Sequence, residues 1–320
     1  MIGRVLVGAL VAALLPLAAV ASDGTIVGHD GKTYPAAPPV VEGRDGELFY
    51  GLTFDLFCSG AGPELQRGMK RLTKLTTLIR RSGRTVVFTV VPDKSLVNDE
   101  NVITAHLPHG TCDTSGMREQ RSILDGYGDP TYLPIRRGLA AEPKQAYWRT
   151  DLHWTTIGAS VFAKALATRL SAPLGARQRY TKAPSQTEVG LLNQLRGVET
   201  PETVRAVAPD TGAKVIPRPG TDSLDQQFPI DHAWTSKPAN LTYPGRTLLL
   251  GDSFTVMGLQ SLRPIFRHGH FLWLINNPDE KVAKAIGRSD TVVIEVVQFF
   301  TGVSPLGKAS FRRLVRNALG

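Results

Sequence analysis

The chain has 320 residues, 42% of them apolar and 20% charged, which fits a globular protein and excludes a disordered or fibrous one. Its formal charge of +9, from 37 Lys and Arg against 28 Asp and Glu, suits contact with an acidic glycan, a cell-wall polymer or a phospholipid surface, or else only a solvated cationic exterior. No basic run with interleaved aromatics occurs, so nucleic acid is not an expected partner.

In chain order, Arg4 precedes the apolar stretch Val5 to Val20, and Ala19-Val20-Ala21 stands before Ser22. This is the layout of a secretory signal peptide over 1–21. The stretch holds Gly8 and Pro16 and is short for a membrane span of about 20 residues, so an uncleaved anchor is the lesser alternative. The protein is therefore expected outside the cytoplasmic membrane, periplasmic or extracellular, and membrane-associated if the segment stays on. Residues 22–42 are rich in Gly and Pro and read as an extended lead-in. Leu48-Phe49-Tyr50 starts a short strand. In an exported protein the two cysteines, Cys58 and Cys112, are expected to form a disulfide, with two free thiols as the alternative.

Pro63 to Ser82 carries Leu65, Met69, Leu72, Leu75, Leu78 and Ile79 at helical spacing, with Arg67, Lys70, Arg71 and Lys74 opposite, and Gly83 ends it. Thr85 to Val91 is a β-branched run of the kind found in a strand buried on both faces. His106 and His109 flank Pro108 and are expected at the surface. Thr155 or Thr156 caps a helix bearing Ile157, Phe162, Ala165, Leu166 and Leu170. From about 172 to 244 the pattern fades and reads as a loop-rich insertion with one short helix near Glu188 to Arg196. Beyond it come a strand at Thr247 to Leu250, a helix from Phe254 to Arg267 that Pro264 can shorten, and a strand at Phe271 to Ile275. A helix at Lys281 to Gly287, a strand at Thr291 to Val297 and a basic helix at Ser310 to Leu319 complete the chain. Helices alternating with buried strands imply an α/β sandwich with a mainly parallel sheet.

Two short motifs carry chemistry. Gly251-Asp252-Ser253 joins a strand to a helix, which presents the serine at the carboxyl edge of the sheet. The helix N-terminus there offers amides for an oxyanion, the Ser253 N–H among them. Read blandly, the serine is an ordinary helix cap. Asp151-Leu152-His153 places a carboxylate where it can reach the imidazole Nδ1, leaving Nε2 for a serine elsewhere. Trp154 is expected to pack beneath the histidine. Asp231-His232-Ala233-Trp234 is a similar string, with the Asp and His adjacent, but it lacks a capped helix after it and ranks below. His268-Gly269-His270 is too short and isolated for a metal centre, and no P-loop or dinucleotide fingerprint follows a strand, so neither metal nor cofactor is expected.

The pairing of DLHWT at Asp151 to Thr155 with LLLGDSF at Leu248 to Phe254 resembles the SGNH-hydrolase-like domain of the alginate O-acetyltransferase AlgJ/AlgX family. Three further stretches are similar to that family: Gly43 to Gly51, Val90 to Lys94 and Ser289 to Glu295. In ordinary SGNH esterases the GDS serine comes first; here the D-x-H pair precedes it, as in the permuted order of this family. The resemblance implies a three-layer SGNH-like sandwich over 43–320, with the insertion around 172–244 least matched. The short stretch past the last match resembles the AlgJ layout more than that of AlgX with its C-terminal carbohydrate-binding module.

Carried over by position, the resemblance implies Ser253 as acyl-accepting nucleophile, His153 as general base and acid, and Asp151 as its orienting carboxylate. Arg149 is a candidate substrate ligand. The usual oxyanion glycine and asparagine are not recognisable, which leaves Gln298 and Asn276 as candidate donors. The implied activity is acetyl transfer to hydroxyls of an extracellular or cell-wall polysaccharide, for which the basic surface suits an anionic acceptor, with a membrane-bound protein handing over the acetyl group. A carbohydrate acetylesterase with the same triad and a non-catalytic glycan-binding subunit are the competing readings.

Overall fold

The structure is a computed structural model that describes residues 24–142, 145–222 and 229–320. The segment read as a signal peptide lies outside the described residues. The lead-in is more ordered than its Gly and Pro content suggests. Thr25–Val27 (β1) and Thr33–Pro35 (β2) form an antiparallel hairpin, and Val40–Glu42 (β3) pairs with Leu48–Tyr50 (β4). Asp45 (φ 54°) and Gly46 (φ 74°) turn the chain between β3 and β4 through the left-handed region that these residue types tolerate.

Gly51–Cys58 (α1) follows directly. It is apolar on most sides, so it shows no amphipathic stripe to read. Ala61–Arg81 (α2) is the expected long helix; Leu65, Met69, Leu72, Leu75 and Ile79 are at most 3% exposed, while Arg67, Lys70, Arg71 and Lys74 face solvent. Thr85–Val91 (β5) is buried from its second residue on. Thr111–Gly126 (α3), hidden in sequence by its polar first turn, and Arg136–Ala140 (α4) come next. Cys58 and Cys112 form a disulfide across 54 residues, tying the end of α1 to the start of α3.

Thr156–Leu170 (α5) is capped by Thr155, whose hydroxyl accepts from the amides of Ile157 and Gly158 at 3.1 and 3.4 Å. Ala172–Ala176 (α6) is a short continuation. The segment read as loop-rich is more structured than that. Tyr180–Glu188 (β6) and Glu202–Pro209 (β7) form an antiparallel hairpin around Leu191–Leu195 (α7), and Lys214–Pro217 (β8) and Asp231–Lys237 (β9) join the central sheet. These strands escaped the sequence pattern because β6 and β8 bury no residue fully, so neither shows an apolar face.

Tyr243–Gly251 (β10), Ser253–Leu262 (α8), Phe266–Trp273 (β11), Asp279–Gly287 (α9), Thr291–Val297 (β12) and Ala309–Leu319 (α10) complete the chain. The helix after Ser253 is shorter than Phe254 to Arg267. Pro264, with no amide to donate, sits in a one-turn 3-10 helix, and Phe266 already belongs to β11, which ends at Trp273 rather than Ile275.

The central sheet runs β5-β12-β10-β11-β9-β8, parallel across the first four strands and antiparallel at β9 and β8. Side chains alternate between its two faces. Leu248, Leu250, Val292 and Ile294 pack with α2, α9 and α10; Leu249, Val293 and Val297 pack with α5 and α8. The result is a three-layer α/β sandwich with the carboxyl ends of β5, β12 and β10 at one edge. Among the described residues no helix is long and apolar enough to cross a membrane.

His106 is exposed, as expected, but His109 is not: it is 4% exposed beside the disulfide. Its Nδ1 lies 2.8 Å from Asp113, and its Nε2 lies 3.3 Å from Asp55 and 3.1 Å from the Pro35 carbonyl oxygen. Burial disfavours the imidazolium, but these acceptors outweigh it and raise the His109 pKa to about 9. The charged ring therefore adds stability that is complete below the unfolded value near ~6.5 and is lost as pH rises through about 9. Linkage puts this at about 3 kcal/mol. Melting curves across the alkaline range should show wild type losing this increment and His109→Gln lacking it. Parallel pH profiles for the two proteins would refute the assignment.

Candidate active site

Ser253 opens α8 immediately after β10. Asp252, not Ser253, is the helix cap: its carboxylate accepts the Phe254 amide at 2.9 Å and, from the end of β12, the Val297 amide at 2.8 Å. Glu295 of β12 accepts the Asp252 and Thr255 amides, each at 3.2 Å, and the Thr255 hydroxyl at 2.7 Å. Burial, reinforced by the Asp252 charge, pushes the Glu295 carboxyl well above its usual range. With these amides taken, the Ser253 N–H has no partner among the described residues and is a free donor at the helix N-terminus.

The loop before α5 folds back on itself. The Trp148 amide donates to the His153 carbonyl at 3.2 Å and the Thr155 amide to the Ala146 carbonyl at 2.9 Å, so Asp151 and His153 sit at the tip of a tight turn. His153 Nδ1 is 2.7 Å from Asp151 Oδ1, and its Nε2 is 2.8 Å from Ser253 Oγ. An ionised Asp151 accepts a hydrogen bond from Nδ1–H, which fixes the tautomer and leaves Nε2 as the acceptor for the Ser253 hydroxyl. The structure thus brings together the three residues paired from sequence, across 100 positions between His153 and Ser253. Burial opposes the Asp151 charge, but His153 and the amides of Leu191 and His153 outweigh it and hold its pKa down to about 2. Trp154 is 1% exposed, stacked on Phe162 and edge-on to Phe254, so it is a core residue as expected, and the ring that meets the histidine directly is Phe254, at 4.8 Å between centroids.

Two buried ions hold the turn. Lys94, 2% exposed, donates through its ammonium to the carbonyls of Trp148 (3.0 Å), Arg149 (2.9 Å) and Asp151 (2.9 Å) and pairs with Glu47 at 3.3 Å. Glu202, at the start of β7, accepts the amides of Arg149 and Thr150 at 3.0 and 2.8 Å and the Thr150 hydroxyl at 2.9 Å. Carbonyls on one side of the turn meet a cation; amides on the other meet an anion. Burial pulls Lys94 down and pushes Glu47 up, each countered by the other's charge. Sequence reasoning missed Glu202 and noted Glu47 and Lys94 only as members of similar stretches. Their partners are mostly backbone atoms, which no residue pattern names.

The remaining candidates fall elsewhere. Gln298 is 6% exposed and committed: its Oε1 accepts the Asp93 amide at 3.0 Å and its Nε2 bonds Gln120, so it is not an oxyanion donor. Asn276 is exposed in the turn after β11, and its side chain makes no hydrogen bond to Ser253 or His153. Arg149 is exposed near the turn, its guanidinium 3.4 Å from the Asp45 carbonyl. In the second Asp-x-His-like string the partners diverge, because adjacent residues of β9 point to opposite faces. Asp231 binds His270 and Lys281, while His232 bonds the Asp222 carbonyl.

The segment around α7 completes the site. The Leu191 amide donates to Asp151 Oδ2 at 2.5 Å, and Gly190 lets α7 approach so closely that a Cβ there would lie 2.1 Å from the Thr150 carbonyl oxygen. Gly190→Ala must push α7 off the turn. It should strip hydrogen-exchange protection from the Leu191 amide and slow Ser253 labelling by a serine-reactive sulfonyl fluoride at least about tenfold. Wild-type labelling with full protection would contradict this.

Comparisons with known proteins bear on the family and the fold. Residues 40–243 match the family described as the SGNH hydrolase-like domain of the acetyltransferase AlgX. No curated protein matches the chain by sequence. Among solved structures, PatB1 of Bacillus cereus is similar at 14% identity and a TM-score of 0.55, covering 77% of this chain and 93% of that one. PatB1 has also been solved with a sulfonyl adduct, at 12% identity, a TM-score of 0.54 and the same two coverages. The O-acetyltransferase domain of Pseudomonas putida AlgJ follows at 17% identity and a TM-score of 0.50, covering 88% and 99%. At these identities the structures speak for the fold. The family match spans most of the chain, and the chain therefore belongs to the SGNH hydrolase-like family of the acetyltransferase AlgX, a family of acyl-transferring enzymes.

Proposed function

We propose that the chain is an exported O-acetyltransferase that carries an acetyl group on Ser253 to a hydroxyl of an extracellular or cell-wall polysaccharide. The observation that carries the reading is the unbroken relay from Asp151 through His153 to Ser253, with contacts of 2.7 and 2.8 Å, beside a free helix-terminal amide. Ser253 Oγ attacks the acetyl carbonyl carbon and gives its proton to His153 Nε2. The Asp151 carboxylate stabilises the resulting imidazolium. The carbonyl oxygen takes the negative charge and faces the Ser253 N–H and the positive end of α8. Collapse breaks the bond to the donor's oxygen or sulfur, which leaves with the proton from His153. The acceptor hydroxyl then attacks the acyl-enzyme, His153 takes its proton, and Ser253 departs with that proton restored.

Acetyl-CoA is not expected outside the cytoplasm, so the donor is a membrane-bound protein that hands the acetyl group across. Asp151 stays ionised above a pH of about 2, so activity lost on mild acidification reports another group. With an activated acetyl ester and an oligosaccharide acceptor, wild type should form O-acetylated sugar and Ser253→Ala none. Asp151→Asn should lose roughly 10²–10⁴-fold in rate. Acetate release alone at saturating acceptor would make the protein an esterase instead. Product formation by Ser253→Ala at the wild-type rate would overturn the mechanism.

A further inference from the structure

Among the described residues, one flank of the sandwich is left open. Helices cover the face of β5, β12 and β10 that carries Leu248 and Ile294, but over β11, β9 and β8 that face is a groove of about 1020 Å³. Its floor follows from strand alternation. His268 pairs in register with Thr235 and with Arg246, and His270 with Ala233, so these side chains share the uncovered face. The wall is α9. Val282, Ala283 and Ile286 turn into the core, while Lys281, Lys284 and Arg288, spaced three and four residues apart, form an exposed stripe along the groove. Arg218, just past β8, stands among the lining residues with them.

The charge is one-sided. Arg218, Arg246, Lys281, Lys284 and Arg288 line the groove against Asp231 and Glu280. Asp231 is already paired with Lys281 and hydrogen-bonded to His270, each at 2.7 Å. Lys284, Arg288 and Arg218 have no ion pair among the described residues. A stripe from residue 281 to 288 spans about 10 Å of helix. Cations repeated over that length match anions repeated along a chain better than one compact phosphate. One end of the groove is bounded by Pro278 and Glu280, in the segment whose Leu274 amide donates at 3.0 Å to the carbonyl of Gly251, two residues before Ser253.

The geometry points to this groove as the binding track for an acidic glycan strand, held by Lys284, Arg288 and Arg218 and running toward the edge of the sheet that carries Ser253. The inference rests on the acetyltransferase reading for its ligand, but binding is measured with no acyl donor present, so the two can fail separately. The probe is a labelled oligogalacturonate, with an uncharged cello-oligosaccharide of the same length as control. Wild type should bind the acidic oligomer and lose affinity steeply as salt is raised. Lys284→Glu with Arg288→Glu should weaken binding more than about tenfold. Both substitutions are at exposed positions, so the double variant should keep wild-type labelling of Ser253 by a sulfonyl fluoride, which confirms its fold. Equal binding by the variant, or equal binding of the uncharged oligomer, overturns the proposal. Binding to phosphatidylglycerol vesicles through these residues, without binding to the oligomer, overturns it in favour of a membrane surface.

Discussion

The site depends on a buried ammonium group. Lys94 follows the last residue of the buried strand β5 by a short Pro-Asp step, and its ammonium is held by three carbonyls of the turn at 148–151. A buried cation is costly unless fully paired. Here Glu47 supplies the counter-charge and the turn supplies the remaining acceptors. The same turn is tied from the other side by Glu202. Removing Lys94 would leave Glu47 without its counter-charge and take one donor from each of three carbonyls, a loss of about 3–5 kcal/mol by analogy with broken buried pairs. Asn98 would still reach Glu47, and the Leu48 amide would still reach the Arg149 carbonyl.

The clamp links parts of the chain that otherwise have little in common. Glu47 lies in the turn before β4, Lys94 follows the central sheet's β5, and Glu202 opens β7 of the outlying hairpin. All three converge on one short loop, whose tip then needs only to meet Ser253 at the end of β10. The α7 segment adds the Leu191 amide to Asp151. What reads in sequence as an insertion is thus the support for the carboxylate. The Ser253 side is held separately, by Asp252 and Glu295 stitching β10, α8 and β12 together. Both halves sit on the rigid carboxyl edge of the parallel strands, where α/β proteins place their chemistry.

The elements legible in sequence were those whose burial writes a period into the chain. The stripe of α2, the apolar runs of β5 and β12, and the strand, tight turn and helix around Ser253 all read directly. The Asp151–His153 pair was legible because its two side chains belong to one short string. Strands β8 and β9 were not, since an edge position and a polar floor remove the apolar alternation. His109 was misplaced because the carboxylate at Asp55 that helps bury it is distant in sequence and only the fold brings it close. Gln298 looked like a free donor after a strand, and only the structure places its amide against Asp93 and Gln120. Lys94 and Glu202 act on backbone atoms, which leave no complementary residue to find.

The central claim is that the clamped turn sets His153 to activate Ser253. The direct measurement is intact mass with peptide mapping after incubation with an activated acetyl ester, on wild type and on Lys94→Met shown to be folded by its melting curve. The expected result is a single acetyl group on the Ser253 peptide in wild type, formed on the order of a hundredfold more slowly in Lys94→Met. Acetylation of a different residue in wild type, or an unchanged rate at Ser253 without the lysine, would contradict it.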